Sequence, residues 1–284
     1  METQIIDGKA LAIEYQEKIK TQVAKMNRTP TLAVILVGND PASEIYVRHK
    51  RQVAERVGII SELFQLSPIT TEEALIAFIQ ELNANDKVDG ILVQLPLPKH
   101  INADAVIEAI DPNKDADGLT SANLGHLFVG TPNLVPCTPM ACLALIKTVC
   151  PILQGKNVVI VGRSKLVGKP LSQLLLDENC TVTQAHSKTV NLKKVCHEAD
   201  ILIVAVGKPK LITKSFVKKG AIIVDVGINR LKNKKIVGDV EFDKMIGHVS
   251  AITPVPGGVG PMTVTMLLQN TVQIAQKRQK TIDL

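Results

Sequence analysis

The chain contains no tryptophan and only seven aromatic residues, two Tyr and five Phe, among its 284 positions. So few π-faces argue against a protein that stacks nucleic-acid bases, although the formal net charge of +6 would suit one. Lys and Arg are scattered, and the longest basic run, Arg230-Leu-Lys-Asn-Lys-Lys235, fits a solvated turn between strands. No nucleic-acid partner is expected, whereas a positive field also suits small polyanions such as a phosphorylated cofactor. Cysteines are few and unpatterned: positions 137, 142, 150, 180 and 196 are odd in number and include no C-x-x-C pair. Neither a disulfide framework nor a zinc site is indicated, no metal is expected, and buried thiols are the expected role. No stretch approaches the eighteen or more apolar residues of a membrane span, and the first thirty residues lack a secretory h-region, so a cytoplasmic protein is expected. Internal repeats and low-complexity tails are absent as well. What is present is 45% apolar content, enough for packed cores in two domains.

Two familiar glycine patterns are also missing from the stretch Asn157-Val-Val-Ile-Val-Gly-Arg-Ser-Lys-Leu-Val-Gly-Lys-Pro-Leu171. A P-loop needs four residues between its glycines, then Lys and Ser/Thr; here five separate Gly162 from Gly168, and Lys169-Pro170 follows. The usual dinucleotide fingerprint needs a second glycine where Ser164 stands. What remains is an apolar β-branched strand ended by Gly162, a loop closed by Gly168, and Pro170 in a first helical turn before Leu171, Leu174 and Leu175. Such a strand, loop and helix start form an anion site, because unpaired N–H groups and the helix dipole both favour phosphate. Alone, the loop could equally be an ordinary βα turn. Its context favours a dinucleotide: the strand pattern 181–185 ends without the Asp or Glu that an NAD site shows to the ribose, and Arg163, Ser187 and Lys188 offer donors instead. NADP is therefore expected over NAD. Further apolar runs at 201–206 and 221–226 each end in glycine, so residues 157–252 read as a parallel sheet with helical crossovers.

The N-terminal half alternates helix and strand: a helix over 7–26, a buried strand over 31–37, a helix capped by Asp40 with Pro41 at its first position, a strand over 59–66, a helix over 71–85 and a strand over 90–95. On the wheel of the second helix, Tyr46, Lys50, Val53, Ala54 and Val57 share one face; Glu44, Arg48, Arg51 and Glu55 hold the other. Lys50 is either a snorkelling lysine at a core margin or an amine facing an apolar crevice, whose pKa falls toward the range useful for proton transfer. Tyr46 stands one turn away from it at i, i+4. Short-chain dehydrogenases carry a Tyr-x-x-x-Lys pair too, but after their cofactor loop rather than before it. Gln94 interrupts the end of a buried strand and must find hydrogen-bond partners where ligands of open α/β sheets bind. The acidic stretch Asp111-Pro-Asn-Lys-Asp-Ala-Asp-Gly118 lacks the spacing of a calcium loop and reads, taken alone, as a solvated turn. Pro136-Cys-Thr-Pro139 precedes a helix over 140–149 and marks a domain junction, and the dense turn 253–261 leads into a final amphipathic helix. Backbone so rich in Pro and Gly, including Pro256 and Gly257, suits close approach by a ligand.

Taken in order, Tyr46-Val-Arg-His-Lys50, Asp89-Gly-Ile-Leu-Val-Gln-Leu-Pro-Leu-Pro98, Asp115-Ala-Asp-Gly118, Gly162-Arg-Ser-x-x-Val-Gly-x-Pro170 and Pro254-Val-Pro-Gly-Gly-Val-Gly-Pro-Met-Thr263 resemble the bifunctional methylenetetrahydrofolate dehydrogenase/methenyltetrahydrofolate cyclohydrolase family over essentially the whole chain. The resemblance implies an α/β protein of two domains: an N-terminal folate and catalytic domain of residues 1–139 plus 262–284, to which the C-terminal helix returns, and a Rossmann-like NADP-binding domain of residues 140–261. It implies a folate cleft between them, tetrahydrofolate derivatives as ligands, a role in one-carbon metabolism and a homodimer. Carried over by position, Lys50 is the cyclohydrolase general acid/base, Tyr46 its neighbour over the folate, Gln94 the residue that tunes it, and Asp117 the carboxylate that holds the pterin. Pro256 and Gly257 contact substrate. Gly162, Arg163, Ser164, Gly168 and Ser187 bind NADP, with Ile228 near the nicotinamide. Two other functions remain open at this level: a dehydrogenase of another small acid, as in shikimate dehydrogenases, and a catalytically silent nucleotide-binding protein.

Overall fold

A computed structural model describes residues 1–282. Strand β1 (Gln4–Ile5) and helix α1 (Gly8–Val23) precede β2 (Thr31–Val37), α2 (Pro41–Val57), β3 (Ile60–Leu66), α3 (Glu72–Ala84) and β4 (Gly90–Val93). Helices α4 (Ala103–Glu108), α5 (Ser121–Phe128) and α6 (Cys137–Val149) follow. Next come β5 (Asn157–Val161), α7 (Gly168–Asp177), β6 (Thr181–Ala185), α8 (Leu192–His197), β7 (Ile201–Val204) and β8 (Ile222–Asp225). The hairpin of β9 (Asn229–Arg230) and β10 (Ile236–Val237), helix α9 (Phe242–Met245), β11 (Ala251–Ile252) and α10 (Val259–Ile282) complete the order. The chain forms two compact units, one of Met1–Ile13 with Thr138–Thr263, the other of Glu14–Cys137 with the residues from Val264 on.

The unit that begins at Glu14 is built on a three-stranded parallel sheet with β2 between β3 and β4. All seven residues of β2 are buried, as a strand covered on both faces requires, whereas β3 at the edge alternates. Asp40 accepts a hydrogen bond from Ser43 N at 2.8 Å, Pro41 fills the first helical turn, and Gly58 at φ +84° closes α2. The buried stripe of this helix is Ser43, Val47, Val53, Ala54 and Val57 with Lys50 half-buried beside them, so Val47 takes the place on the core face that the wheel gave to Tyr46. The C-terminal helix returns to this unit: Asn270 Nδ2 donates to Ala116 O at 2.9 Å and Val135 O at 3.0 Å, and Arg278 joins Arg28 on the buried Asp89 carboxylate.

The other unit carries a six-stranded, all-parallel sheet in the order β1-β11-β8-β7-β5-β6. Strand β5 lies between β6 and β7, so the connections leave in opposite directions from it, and that switch point opens a crevice at the carboxyl ends of β5 and β7. The first thirteen residues belong here rather than with residues 14–137. Gln4 and Ile5 pair with Ala251 and Ile252, and Gly8 packs so closely that a Cβ would lie 1.8 Å from Gly258 O. A two-residue strand is too short to show period-2 patterning, which is why only the close-packed glycine and the pairing reveal it.

Candidate functional site

The carboxyl end of β4 and the middle of α2 meet at Lys50. Gln94, just past β4, takes a backbone bond from its own N to Ile35 O at 2.8 Å and donates its Nε2 to Leu95 O at 2.6 Å. With the amide turned that way, Oε1 is left to accept from Lys50 Nζ at 2.9 Å. Burial lowers the pKa of Lys50 below the ordinary lysine range, and the Asp117 charge, followed by Cys137, opposes part of that shift. Asp117 shows the reciprocal effect. Burial raises its pKa, while the Lys50 charge and then the Cys137 thiol pull it back. Tyr46, one turn before Lys50 on α2, is 39% exposed.

The acidic stretch 111–118 divides by task. Asp115 is 1% exposed and accepts from Gly118 N (2.9 Å), Thr120 N (2.8 Å) and Asn123 Nδ2 (3.0 Å), so its carboxylate shapes the turn. Asp111 does the same for Asn113 N at 2.8 Å. That leaves Asp117 as the carboxylate facing Lys50. Cys137 at the start of α6 escapes sequence reasoning, because nothing marks it off from four other cysteines. Its Sγ donates to Ala116 O at 3.4 Å, and burial, then Asp117, holds its thiol well above the ordinary range. It is a neutral neighbour of the pair, unsuited to act as a thiolate.

In the six-stranded unit, the register Val161↔Ala185 brings the loops after β5 and β6 out side by side. Arg163 and Ser164 on one loop and Ser187 and Lys188 on the other are all exposed. Gly162, at φ +139°, is pressed against the neighbouring strand end, where a Cβ would lie 2.4 Å from Ala205 O; at Gly168 a Cβ would lie 2.3 Å from Gly162 O. Ser164 Oγ accepts from Val167 N at 3.1 Å and tightens the loop before α7 begins at Gly168. A phosphate-bearing dinucleotide fits such an edge: bare backbone at the crevice floor, a helix start behind it, and cationic and hydroxyl donors at its ribose end. Ile228, beyond β8, is 49% exposed and borders the same carboxyl edge. Pro256 and Gly257 lie in this unit, Gly257 at φ +112°. Thus Tyr46, Lys50, Gln94 and Asp117 gather in one unit, and the dinucleotide set with Pro256 and Gly257 belongs to the other.

These arrangements have close counterparts. A family profile for the "Tetrahydrofolate dehydrogenase/cyclohydrolase, catalytic domain" matches residues 6–117, and one for the NAD(P)-binding domain of the same family matches residues 136–279. The "Bifunctional protein FolD" of Acetivibrio thermocellus is 52% identical over 283 residues, covering 99% of each chain. The crystal structure of the bifunctional FolD methylenetetrahydrofolate dehydrogenase/cyclohydrolase from Campylobacter jejuni superposes with a TM-score of 0.94 at 45% identity, over 97% of this chain and 99% of that one. The Trypanosoma brucei FolD, solved with NADP cofactor and inhibitor, gives a TM-score of 0.94 at 37% identity over 99% of each chain. A shikimate dehydrogenase from Thermus thermophilus, at 14% identity and a TM-score of 0.52 over 89% of this chain, shares the fold alone. Two profiles that between them span most of the chain, and half-identical relatives of the same length, establish that this protein belongs to the tetrahydrofolate dehydrogenase/cyclohydrolase family.

Proposed function

We propose that this chain oxidises 5,10-methylenetetrahydrofolate to the 5,10-methenyl form with NADP and hydrolyses the methenyl form to 10-formyltetrahydrofolate, serving one-carbon metabolism. The observation that carries the reading is Lys50: a buried amine, lowered in pKa, 2.9 Å from a glutamine whose amide is turned to accept from it. NADP, when bound, supplies the acceptor for the hydride that leaves the methylene carbon. The cation that remains is stabilised by the folate's own nitrogens, so the chain's task in this step is alignment. Arg163 and Ser187 hold the 2′-phosphate, Gly162 and Gly168 admit the pyrophosphate to bare backbone, and Ile228 borders the nicotinamide.

Hydrolysis needs more. Water adding to the methenyl carbon must lose a proton, and the ring nitrogen that leaves must gain one. A neutral Lys50 takes the first proton and returns it to the departing nitrogen as the C–N bond breaks. The carbinol hydroxyl then gives up its own proton, which the freed amine passes to solvent as the formyl C=O forms, with Gln94 keeping the amine aimed. Asp117 holds the pterin, since one carboxylate accepts two N–H groups from the aminopyrimidinone edge; Tyr46 covers the folate, and Pro256 and Gly257 contact it. In domain terms Tyr46, Lys50, Gln94 and Asp117 sit on residues 14–137, and the dinucleotide groups, with Pro256 and Gly257, on residues 138–263. The family resemblance also supports a cytoplasmic homodimer, which light scattering on the purified protein tests by its mass. The activity itself is tested by incubating methylenetetrahydrofolate with NADP and following NADPH and methenyl absorbance separately. Formation of NADPH with transient methenyl folate supports the reading; no NADPH formation refutes it.

A further inference from the structure

Two buried carboxylates in the six-stranded unit have no part in the chemistry above. Asp225, ending β8, is 3% exposed and Asp239, just past β10, is 0% exposed. Asp239 gathers a run of backbone donors: Oδ2 accepts from Val206 N (2.7 Å) and Gly207 N (3.0 Å), and Oδ1 from Lys208 N (2.8 Å) and Asn229 Nδ2 (2.8 Å). Asp225 stands behind it, accepting from Gly227 N (3.0 Å), Asp239 N (2.9 Å) and Val240 N (2.9 Å). The packing leaves no slack. A Cβ at Gly227 would lie 2.3 Å from Asp239 Cγ, and one at Gly238 would lie 1.9 Å from Asp225 Oδ2.

The segments these carboxylates hold are the two that border the crevice. Residues 206–208 continue from Ala205, whose carbonyl presses on Gly162, and residues 227–229 carry Ile228. Three successive N–H groups converging on one oxygen pair require an acceptor-only group, because an amide would turn its own N–H₂ against one of them. The arrangement opposes stability: burial, with the neighbouring Asp239 charge adding to it, holds the Asp225 carboxyl up to about 6 despite three backbone donors. Buried like charges kept against such a penalty mark a site whose geometry matters more than its contribution to folding.

Building on the NADP reading above, we propose that Asp239, braced by Asp225, is a positioning residue for cofactor binding: it locks the loop after β7 and the turn after β8 into the shape that receives the reacting end of the dinucleotide. Asp239 acts through those backbone segments and touches neither substrate nor the reacting atoms.

The test is Asp239→Asn on the whole chain, measured by isothermal titration with NADP, by the dehydrogenase KM and kcat, and by methenyl hydrolysis, which uses no nicotinamide. The proposal expects NADP affinity to weaken by roughly tenfold or more, the loss to appear in KM for NADP, and hydrolysis per folded protein to stay within about twofold. Unchanged NADP affinity overturns it, as does a parallel fall of both activities at constant KM, the signature of a purely structural pair. Should that variant fail to fold, Gly207→Ala decides: φ at Gly207 is +64°, a Cβ there meets nothing within 4 Å, and both carboxylates stay in place. Weaker NADP binding with intact hydrolysis supports the proposal, and unchanged binding overturns it. A wild-type protein that neither binds NADP nor reduces it would instead sink the underlying NADP reading, so the two failures are distinct.

Discussion

The half-buried amine of Lys50 and the fully buried carboxylate of Asp239 both lie near the carboxyl end of a parallel sheet, and they are satisfied in opposite ways. Among the described residues the Lys50 amine makes one hydrogen bond, to Gln94, and keeps the rest of its donor capacity unspent. The Asp239 carboxylate is saturated by four donors, three of them consecutive backbone N–H groups. A buried ionisable group with spare capacity and a shifted pKa can pass a proton to a ligand; one whose lone pairs are all committed can only hold a shape. On the proposed reading, the contrast divides labour within the chain: the unit on β2–β4 supplies a group that changes state, and the unit on the six-stranded sheet supplies a frame that should not.

The sharpest way to break the comparison is Lys50→Met, which keeps the apolar stem and removes the amine. Hydrolysis should fall by ~10²–10⁴-fold, the usual worth of a general acid/base, while NADPH formation remains substantial and methenyltetrahydrofolate accumulates. Assaying the two steps separately checks it; a parallel fall would make Lys50 a positioning residue. Asp117→Asn should weaken folate in both reactions by roughly 1.5–3 kcal/mol, because an amide cannot accept two ring donors. It also removes the charge that opposes desolvation of Lys50, so the ionisation governing hydrolysis should move to lower pH. Normal folate affinity in this variant would return Asp117 to the turn-forming role of Asp115.

Arg163→Ala should weaken NADP, toward the low end of roughly 1.5–3 kcal/mol because Arg163 is exposed and screened, and leave NAD unchanged. Equal losses for the two cofactors would remove Arg163 from the 2′-phosphate site. Cys137→Ala is expected to have the smallest effect. Burial keeps that thiol neutral, so its loss should alter hydrolysis by less than about tenfold and show mainly as a lower melting temperature. A larger loss of hydrolysis than of stability would give the thiol a part in the chemistry.

Much of this was legible in the residues, for reasons that differ by element. Strand β2 was readable residue for residue, because burial on both faces demands an unbroken apolar run and Gly38 ends it. Lys50 stood out because a lysine on an apolar helix face is chemically anomalous, and the structure places Gln94 and Asp117 against it. Helix α6 starts at Cys137, three residues before the Met140 start read from the pattern, since Pro139 is tolerated within a first turn. The short helices α4, α5, α8 and α9 and the two-residue strand β1 carry too few residues for periodicity to register. Cys137, Asp225 and Asp239 stayed hidden because their significance comes from neighbours distant in sequence. An Asp beside a glycine reads as a turn until the backbone donors that surround it are known.

The central claim, that one amine of shifted pKa separates the two reactions, is tested most directly by a pH profile of both activities on one preparation of the intact protein. Because burial lowers the Lys50 pKa and the neutral amine takes water's proton, methenyl hydrolysis should rise with pH through a single ionisation below the ordinary lysine range. NADPH formation from methylenetetrahydrofolate should show no such step. Coincident profiles, or enzymatic hydrolysis that stays flat across that range, would contradict the assignment of Lys50 as the proton carrier.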